Sequence, residues 1–574
     1  MNPIVKSQLN KFKEKYTSED LSDSEFFEVM SIFSIENGVL GENINPFDAH
    51  LRGSEFGIDG IAISIQGKLC LSVEDAEEII SLGRNHQSEF HFYQSKISEN
   101  IDYGDLSKFL DAVYDFFGKN ILCVSDQVSD LVSVKDKIYE ASAKSSPKLK
   151  CFYCTTGVAQ KSDLISDLIQ KEKDKLQELC IFADITIECV GASLLVSGYR
   201  SATNSNSSKI NFPKAVTLPS HEKVEEAYIG YVAASEIISI ALGEKDSEGN
   251  RYINRSIFYD NVRDFDPDSE INKSIFSDLE KGDYESFVFK NNGITIVSKN
   301  IDRRGDTFTI DDYQVVNGCQ TTNILIRLRD NVDKIFVPLR LIGCKDSDFV
   351  ASVIIGTNKQ NEVKIDQFWA LSPFMKNLEE YCSSQNSELK IHIERRENQY
   401  RDVVLERTRI IRPSDLMKAV VAMYFFQPHR AARDYRGITK DFSDQIFCNN
   451  HSVELYHLAA LAFYKFDFMV RNSRIDRSKA IFKFYAMYYL VRKFWDKTDL
   501  LNSPPKSQNK TKDKILNILI SDEKFKDLID ETSEIIESLI ESSKLESREK
   551  IRDHIRGESF LIAFTQSAFT TQPA

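Results

Sequence analysis

Long apolar runs are missing from this chain of 574 residues: none approaches the roughly 20 residues that a membrane-spanning helix needs. The opening MNPIVKSQLNKFKEKY also has no apolar core of the kind a signal peptide carries. Together these absences make a cytoplasmic protein with no membrane partner the expectation. Histidine is scarce, with nine in all, and no HExxH pattern or Cys/His cluster at ligand spacing occurs, so the usual zinc sites are excluded. The ten cysteines are scattered. Their one close pair, Cys151 and Cys154 in CFYCTTG, sits in an alternating apolar segment, where residues three apart point to opposite faces of a strand. Both read as buried thiols. Surplus positive charge is missing too: 73 Lys and Arg stand against 87 Asp and Glu, a formal charge of -14. That balance argues against general coating of nucleic acid and leaves room for a local basic groove.

What is present is enough apolar material, 42% of residues, for a folded chain of three or four domains. Phe26, Val29, Met30 and Phe33 repeat at helical spacing over residues 24–37. Strand-like IDGIAISI and EFHFYQSK follow. Then comes DLSKFLDAVYDFFGK, with Leu106, Phe109, Leu110, Val113, Phe116 and Phe117 on one helical stripe. Two further strand-like segments, KLKCFYCTTG and ITIECVGASLLVSG, flank a charged helix. The order αββαβαβ predicts a small α/β domain over residues 1–200. Polar SATNSNSSK, residues 201–209, reads as a linker. A mixed α+β domain over 210–411 and a mainly helical region over 412–574 complete an α/β multidomain chain, with a second break at NSPPKSQNKTKDK.

Three polar residues at the ends of apolar faces carry the chemistry. Strand alternation puts Gln94 and Lys96 of FHFYQSK on the face of Phe90 and Phe92, and Asp59 on the face of Ile61, Ile63 and Ile65. Polar groups there are costly unless something binds. A magnesium ion, or manganese in its place, would be such a ligand, because it takes one or two carboxylates with water and phosphate oxygens. Asp59 offers a carboxylate and Gln94 an amide oxygen. Lys96 would hold the attacking water and offset charge on the phosphorane.

Asp59 followed by Gln94-x-Lys96, between a helix bearing FFEV and an amphipathic helix, resembles the PD-(D/E)xK nuclease superfamily, in the QxK form of Mrr-type restriction endonucleases. The resemblance implies a restriction-endonuclease-like α/β/α fold, DNA as substrate, and Glu28 as a further metal ligand from the first helix. Gln in place of an acidic residue removes one negative charge from that metal site.

A second, longer resemblance covers roughly residues 220 to 480. NVRDF at 261–265, FKNNGITIVSK at 289–299, YQVVNGCQTTNIL at 313–325, IIGTNKQNEVKIDQFWAL at 354–371 and HIERRENQY at 392–400 resemble the abortive-infection phage-resistance (AIPR) family in order and spacing. It implies a bacterial phage-defence setting. Physically, Asn291 to Gly293 read as a hairpin turn. Strand YQVV, then Asn317-Gly318, then a helix from about Gln320 would expose backbone N–H groups to an anion, with Thr321, Thr322 and Asn323 adding donors. No P-loop pattern is present. Asn358, Gln360 and Asn361 would line the same pocket, or form a helix cap and surface loop. Arg395 and Arg396 are phosphate-binding candidates. The wider arginine set, including Arg407, Arg409, Arg412, Arg430, Arg433 and Arg436, is interleaved with acidic residues and reads first as a salt-bridged face.

The expectation is a magnesium-dependent DNA nuclease of phage defence, restrained until a phage-derived trigger reaches its central domain, with a helical region serving partners or self-assembly. Its rivals are a non-catalytic sensor that binds nucleic acid or a phage component, and an RNA-cleaving toxin.

Overall fold

The computed structural model describes all residues except 18, 40–43, 56, 81–86, 119–124, 142–145, 204–206, 246–250, 254–256, 259–275, 278, 280, 329–331, 358–368, 370–371, 396–398, 401–405, 544–547 and 570–574. The chain divides into two compact units. One comprises Met1–Thr17, Leu21–Val363 and Glu397–Val404; the other comprises Ser18–Asp20, Lys364–Arg396 and Leu405–Ala574.

The first unit opens with helices α1 (Pro3–Lys15) and α2 (Asp23–Val39). A capping box starts α2: the Ser22 N–H donates to Glu25 Oε2 at 2.8 Å, and the Glu25 N–H donates to Ser22 Oγ at 3.3 Å. Phe27 and Ile32 are buried along with the predicted stripe, so α2 is apolar on more than one face and is enclosed by α1, a sheet and α7 (Ala192–Thr203).

That sheet has the order β1 (His50–Glu55), β2 (Ile58–Ile65), β4 (Ser88–Lys96), β5 (Lys148–Thr155), β6 (Asp184–Val190), with the short β3 (Lys68–Leu69) on β2. β2 is antiparallel to β4, whereas β4, β5 and β6 run parallel. Between the strands lie α3 (Val73–Ile80), α4 (Tyr103–Phe117), α5 (Asp126–Ala141) and α6 (Asp163–Gln177). One sheet face packs Ile61, Ile63, Phe90, Phe92, Cys151 and Ile187 against Leu106, Phe109 and Phe116 of α4. The other packs Ala62, Tyr93, Phe152 and Cys154 against α2 and α7. Cys151 and Cys154 thus lie on opposite faces, and burial pushes both thiols up.

A second sheet in this unit has the order β7 (Ser207–Asn211), β13 (Thr307–Asn317), β12 (Ile294–Arg304), β14 (Phe336–Gly343), β9 (Glu226–Ala233), β8 (Val216–Thr217), and β10 (Leu242–Lys245) pairs separately with β11 (Arg251–Ile253). The polar segment expected to be a linker is part structured: α7 runs through Thr203, and β7 pairs antiparallel with β13. An edge strand can carry polar residues because one side of it faces no neighbour. Asn291 to Gly293 form no hairpin. They join a short helix, Phe287–Lys290, to β12, with Gly293 at φ +82° in the left-handed region that glycine tolerates.

Among the described residues, the second unit is helical apart from a two-residue pairing of His392–Ile393 with Ile410–Ile411. The helix Val453–Arg471 is buried nearly all round, against Leu416, Tyr424, Tyr485 and Ile529. The expected break at 502–514 is mostly the helix Pro505–Leu519, with proline in its first turn, where no N–H is needed.

On the α2 side of the first sheet a buried polar chain crosses three elements. His91 Nδ1 donates to Glu36 Oε1 of α2 at 2.6 Å and His91 Nε2 to Glu89 Oε2 at 3.2 Å; Lys150 Nζ of β5 donates to the same Glu89 oxygen at 2.8 Å. The Tyr93 hydroxyl also donates to Glu36 Oε1. Burial opposes a charged imidazole, but the two carboxylates outweigh it and raise the His91 pKa, so both ring nitrogens can donate. A raised pKa contributes stability that is complete below the unfolded value near 6.5 and is lost as pH climbs through the folded value. We therefore expect His91→Gln to destabilise by about 3–5 kcal/mol at pH 6, as for breaking a buried pair. The deficit should shrink at alkaline pH when measured by urea unfolding; a constant deficit would show that His91 is neutral in the fold.

Candidate active site

The carboxyl ends of the parallel strands β4 and β5 meet the start of antiparallel β2. Beyond the last paired residues, Gly60 and Tyr93, the Ser95 N–H donates to Asp59 Oδ2 at 2.6 Å. The carboxylate therefore takes an amide at the end of the ladder, which explains locally why an acid sits in an apolar strand. Asp59 is only 3% exposed. Burial raises its pKa to about 7, with Glu28 and Asp105 adding like charge, while the Ser95 hydrogen bond and the Lys96 charge pull it down. Glu28, Lys96 and Asp105, from α2, β4 and the first turn of α4, are thus each within electrostatic reach of Asp59 on β2.

Gln94 is 2% exposed, and its Oε1 has no hydrogen-bond partner. The turn into β2 runs over it: Gly57 has φ +84°, and a Cβ there would lie 3.0 Å from Gln94 Nε2. Glu28 is held by His50 of β1, whose Nε2 lies 2.9 Å from Glu28 Oε2. Lys96 ends β4 half-buried, in register with Thr155 of β5. Loop hydrogen bonds tie this end of the sheet together, from the Thr156 N–H to the Ser98 carbonyl at 2.9 Å and from the Ala192 N–H to the Gly157 carbonyl at 2.7 Å.

Of the residues singled out from sequence, Asp59, Gln94, Lys96 and Glu28 come together here. The central set lies elsewhere and is engaged internally. Asn317 Nδ2 donates to the Thr357 carbonyl at 2.9 Å, and Asn291 Nδ2 donates to Thr321 Oγ1 at 3.0 Å. The Thr322 hydroxyl bonds the Gly318 carbonyl within its own helix, Cys319–Leu328, which also carries Gln320 and Asn323. Asn358, Gln360, Asn361 and Arg396 lie outside the described residues. Arg395 is buried in an ion pair with Glu379, Arg412 pairs with Asp415, and Arg430 pairs with Asp434 and Asp441. These arginines match the salt-bridged reading.

Sequence reasoning missed Asp105, Tyr153 and Thr155. The alternation of CFYCTT places Tyr153 and Thr155 on one face, but only the pairing of β5 with β4 brings that face beside Gln94 and Lys96. Among the described residues no group of three His, Cys, Asp or Glu side chains could hold a metal ion. The donors at hand are two carboxylates, Asp59 and Glu28, and the Gln94 amide oxygen. All are hard oxygens, which suits a magnesium-type ion that keeps much of its water and excludes a soft-metal site.

The AIPR protein family matches residues 258–548, a span beyond the first sheet and its site. No curated protein and no solved structure matches the chain.

Ionising Asp59 inside the fold costs stability. Its folded pKa near 7 lies above the ordinary 3.8, so stability falls as pH rises from about 4 to 7 and is level above. Asp59→Asn should gain on the order of 2–4 kcal/mol over the wild type at pH 8 and little at pH 4, read by thermal or urea unfolding. An equal gain at both pH values would mean the carboxyl does not titrate as described.

Proposed function

The chain belongs to the AIPR family, and from that premise we propose that it is a bacterial phage-defence effector whose first domain is a PD-(D/E)xK-type nuclease hydrolysing DNA phosphodiesters. The observation that carries the reading is the Gln94 amide oxygen, buried without a hydrogen-bond partner beside the buried Asp59 carboxylate. An unpaired buried acceptor costs about 1–3 kcal/mol, and a ligand that accepts both oxygens would relieve it.

Asp59, Gln94 and Glu28 would hold a magnesium or manganese ion. Bound there, the ion would polarise the phosphoryl group and activate water. Glu28 is oriented for that role by His50, and Asp59 by the Ser95 N–H. Lys96 holds the incoming water and offsets the negative charge that grows on the phosphate oxygens during attack. The sheet supplies the rigid mounting, since both strands are buried along their length. The AIPR span, which lies outside the site, would restrain the nuclease until a phage-derived trigger is bound, because an unrestrained nuclease would damage host DNA.

A non-catalytic binding module is the second reading, favoured by Asp59 holding a proton through near-neutral pH in the absence of a cation. Cleavage of duplex DNA, single-stranded DNA and RNA by the full chain, with and without chelator, separates the readings. Magnesium-dependent cutting of DNA that falls by about 100-fold or more in Lys96→Ala is the expected result. Cutting that survives both chelator and the substitution would place the chemistry elsewhere. RNA-only cutting would make the chain an RNA-cleaving toxin. Binding without cutting, with infected-cell extract supplied as trigger, would establish the sensor.

A further inference from the structure

Gln94 is one of three unsatisfied groups in a row. Parallel pairing sets Gln94 beside Tyr153 and Lys96 beside Thr155, and all four side chains share the sheet face that packs on α4. The Tyr153 and Thr155 side chains are fully buried, and neither hydroxyl has a hydrogen-bond partner among the described residues. The Tyr153 hydroxyl lies beside the Asp102 backbone at the start of α4 without completing a hydrogen bond, and burial pushes its pKa up to about 12, so it remains a proton donor. Native folds leave few buried polar atoms unpaired. Three on neighbouring positions of one sheet face mark a place where polar matter is bound.

The two hydroxyls stand on β5, one strand, roughly 4.8 Å, from Gln94 on β4 and two strands from Asp59 on β2. The donor set supplies few carboxylates, and magnesium-type ions keep several waters. Those waters need partners inside a buried site. A hydroxyl is a suitable one because it both donates and accepts.

We infer that Tyr153 and Thr155 bind the water shell of a divalent cation held by Asp59 and Gln94, extending the site onto β5. This rests on the nuclease reading for the cation itself. The two hydroxyls touch the ion only through water, and they set its affinity rather than take part in bond breaking. Outer-shell partners of this kind typically change metal affinity by about 10–100-fold.

The test is calorimetric titration of the full chain with manganese(II) alone, comparing wild type, Tyr153→Phe, Thr155→Val and Asp59→Asn, with thermal unfolding of each metal-free protein. Removing an unpaired buried hydroxyl at constant shape should leave metal-free stability unchanged or higher. Tyr153→Phe and Thr155→Val are each expected to weaken manganese binding about 10-fold or more at undiminished melting temperature, and Asp59→Asn to abolish it. Wild-type affinity in the two hydroxyl variants would overturn the inference while leaving the nuclease reading intact. A lowered metal-free melting temperature would overturn it by showing that the hydroxyls are structurally paired. Manganese binding unaltered by Asp59→Asn, or absent from the wild type, would remove the cation site and this inference together.

Discussion

Strand β4 is buried on both faces along nearly its whole length, and every polar group on it has to be answered inside the protein. The strand meets that constraint differently on its two faces. Toward α2, Glu89, His91 and Tyr93 are matched by Glu36 and Lys150, so charge is balanced within hydrogen-bond distance. Toward α4, Gln94 has an oxygen with no partner and Lys96 reaches the rim. Toward α2 an internal ion network holds helix to sheet, leaving Glu36 Oε2 and Ser95 Oγ without partners, and toward α4 the unpaired groups gather beside Asp59. The same helix, α2, is pinned by Glu36 on one side and delivers Glu28 toward Asp59 on the other, so the network that stabilises the domain also orients its site.

The site is expensive to the fold. A carboxyl whose pKa is raised to about 7 by burial, a buried amide oxygen and two buried hydroxyls each oppose folding, by about 1–3 kcal/mol for an unpaired group. A domain with a thick apolar core on both sheet faces can carry such strain. Residues that break local rules without local compensation are where a ligand is expected to restore the balance.

The AIPR span shows the contrary pattern. Asn291, Asn317, Thr321 and Thr322 look like a donor array in sequence, yet their side chains bind one another, the Thr357 carbonyl and their own helix. They join β12, β13 and the helix Cys319–Leu328 at a crowded junction. Their polarity is used in building the fold. The arginines Arg395, Arg412 and Arg430 are likewise matched by nearby carboxylates.

Local periodicity sufficed to read much of this from the chain alone: the α/β class of the first domain, the faces of Asp59, Gln94 and Lys96, the opposed thiols of Cys151 and Cys154, and a mainly helical region from residue 412 onward. Alternation and helical stripes are short-range properties, written within each segment. Composition misled where local chemistry has two uses: small polar residues made β7 look like a linker, and Pro505 with its lysines made a helix look like a break. What only the tertiary structure decided is adjacency. That β5 rather than another strand lies parallel to β4, and that Glu36 meets His91 across 55 positions, follow from long-range sheet pairing and helix packing. Segment pattern does not encode those choices, because many pairings bury the same apolar faces and only the assembled core selects among them.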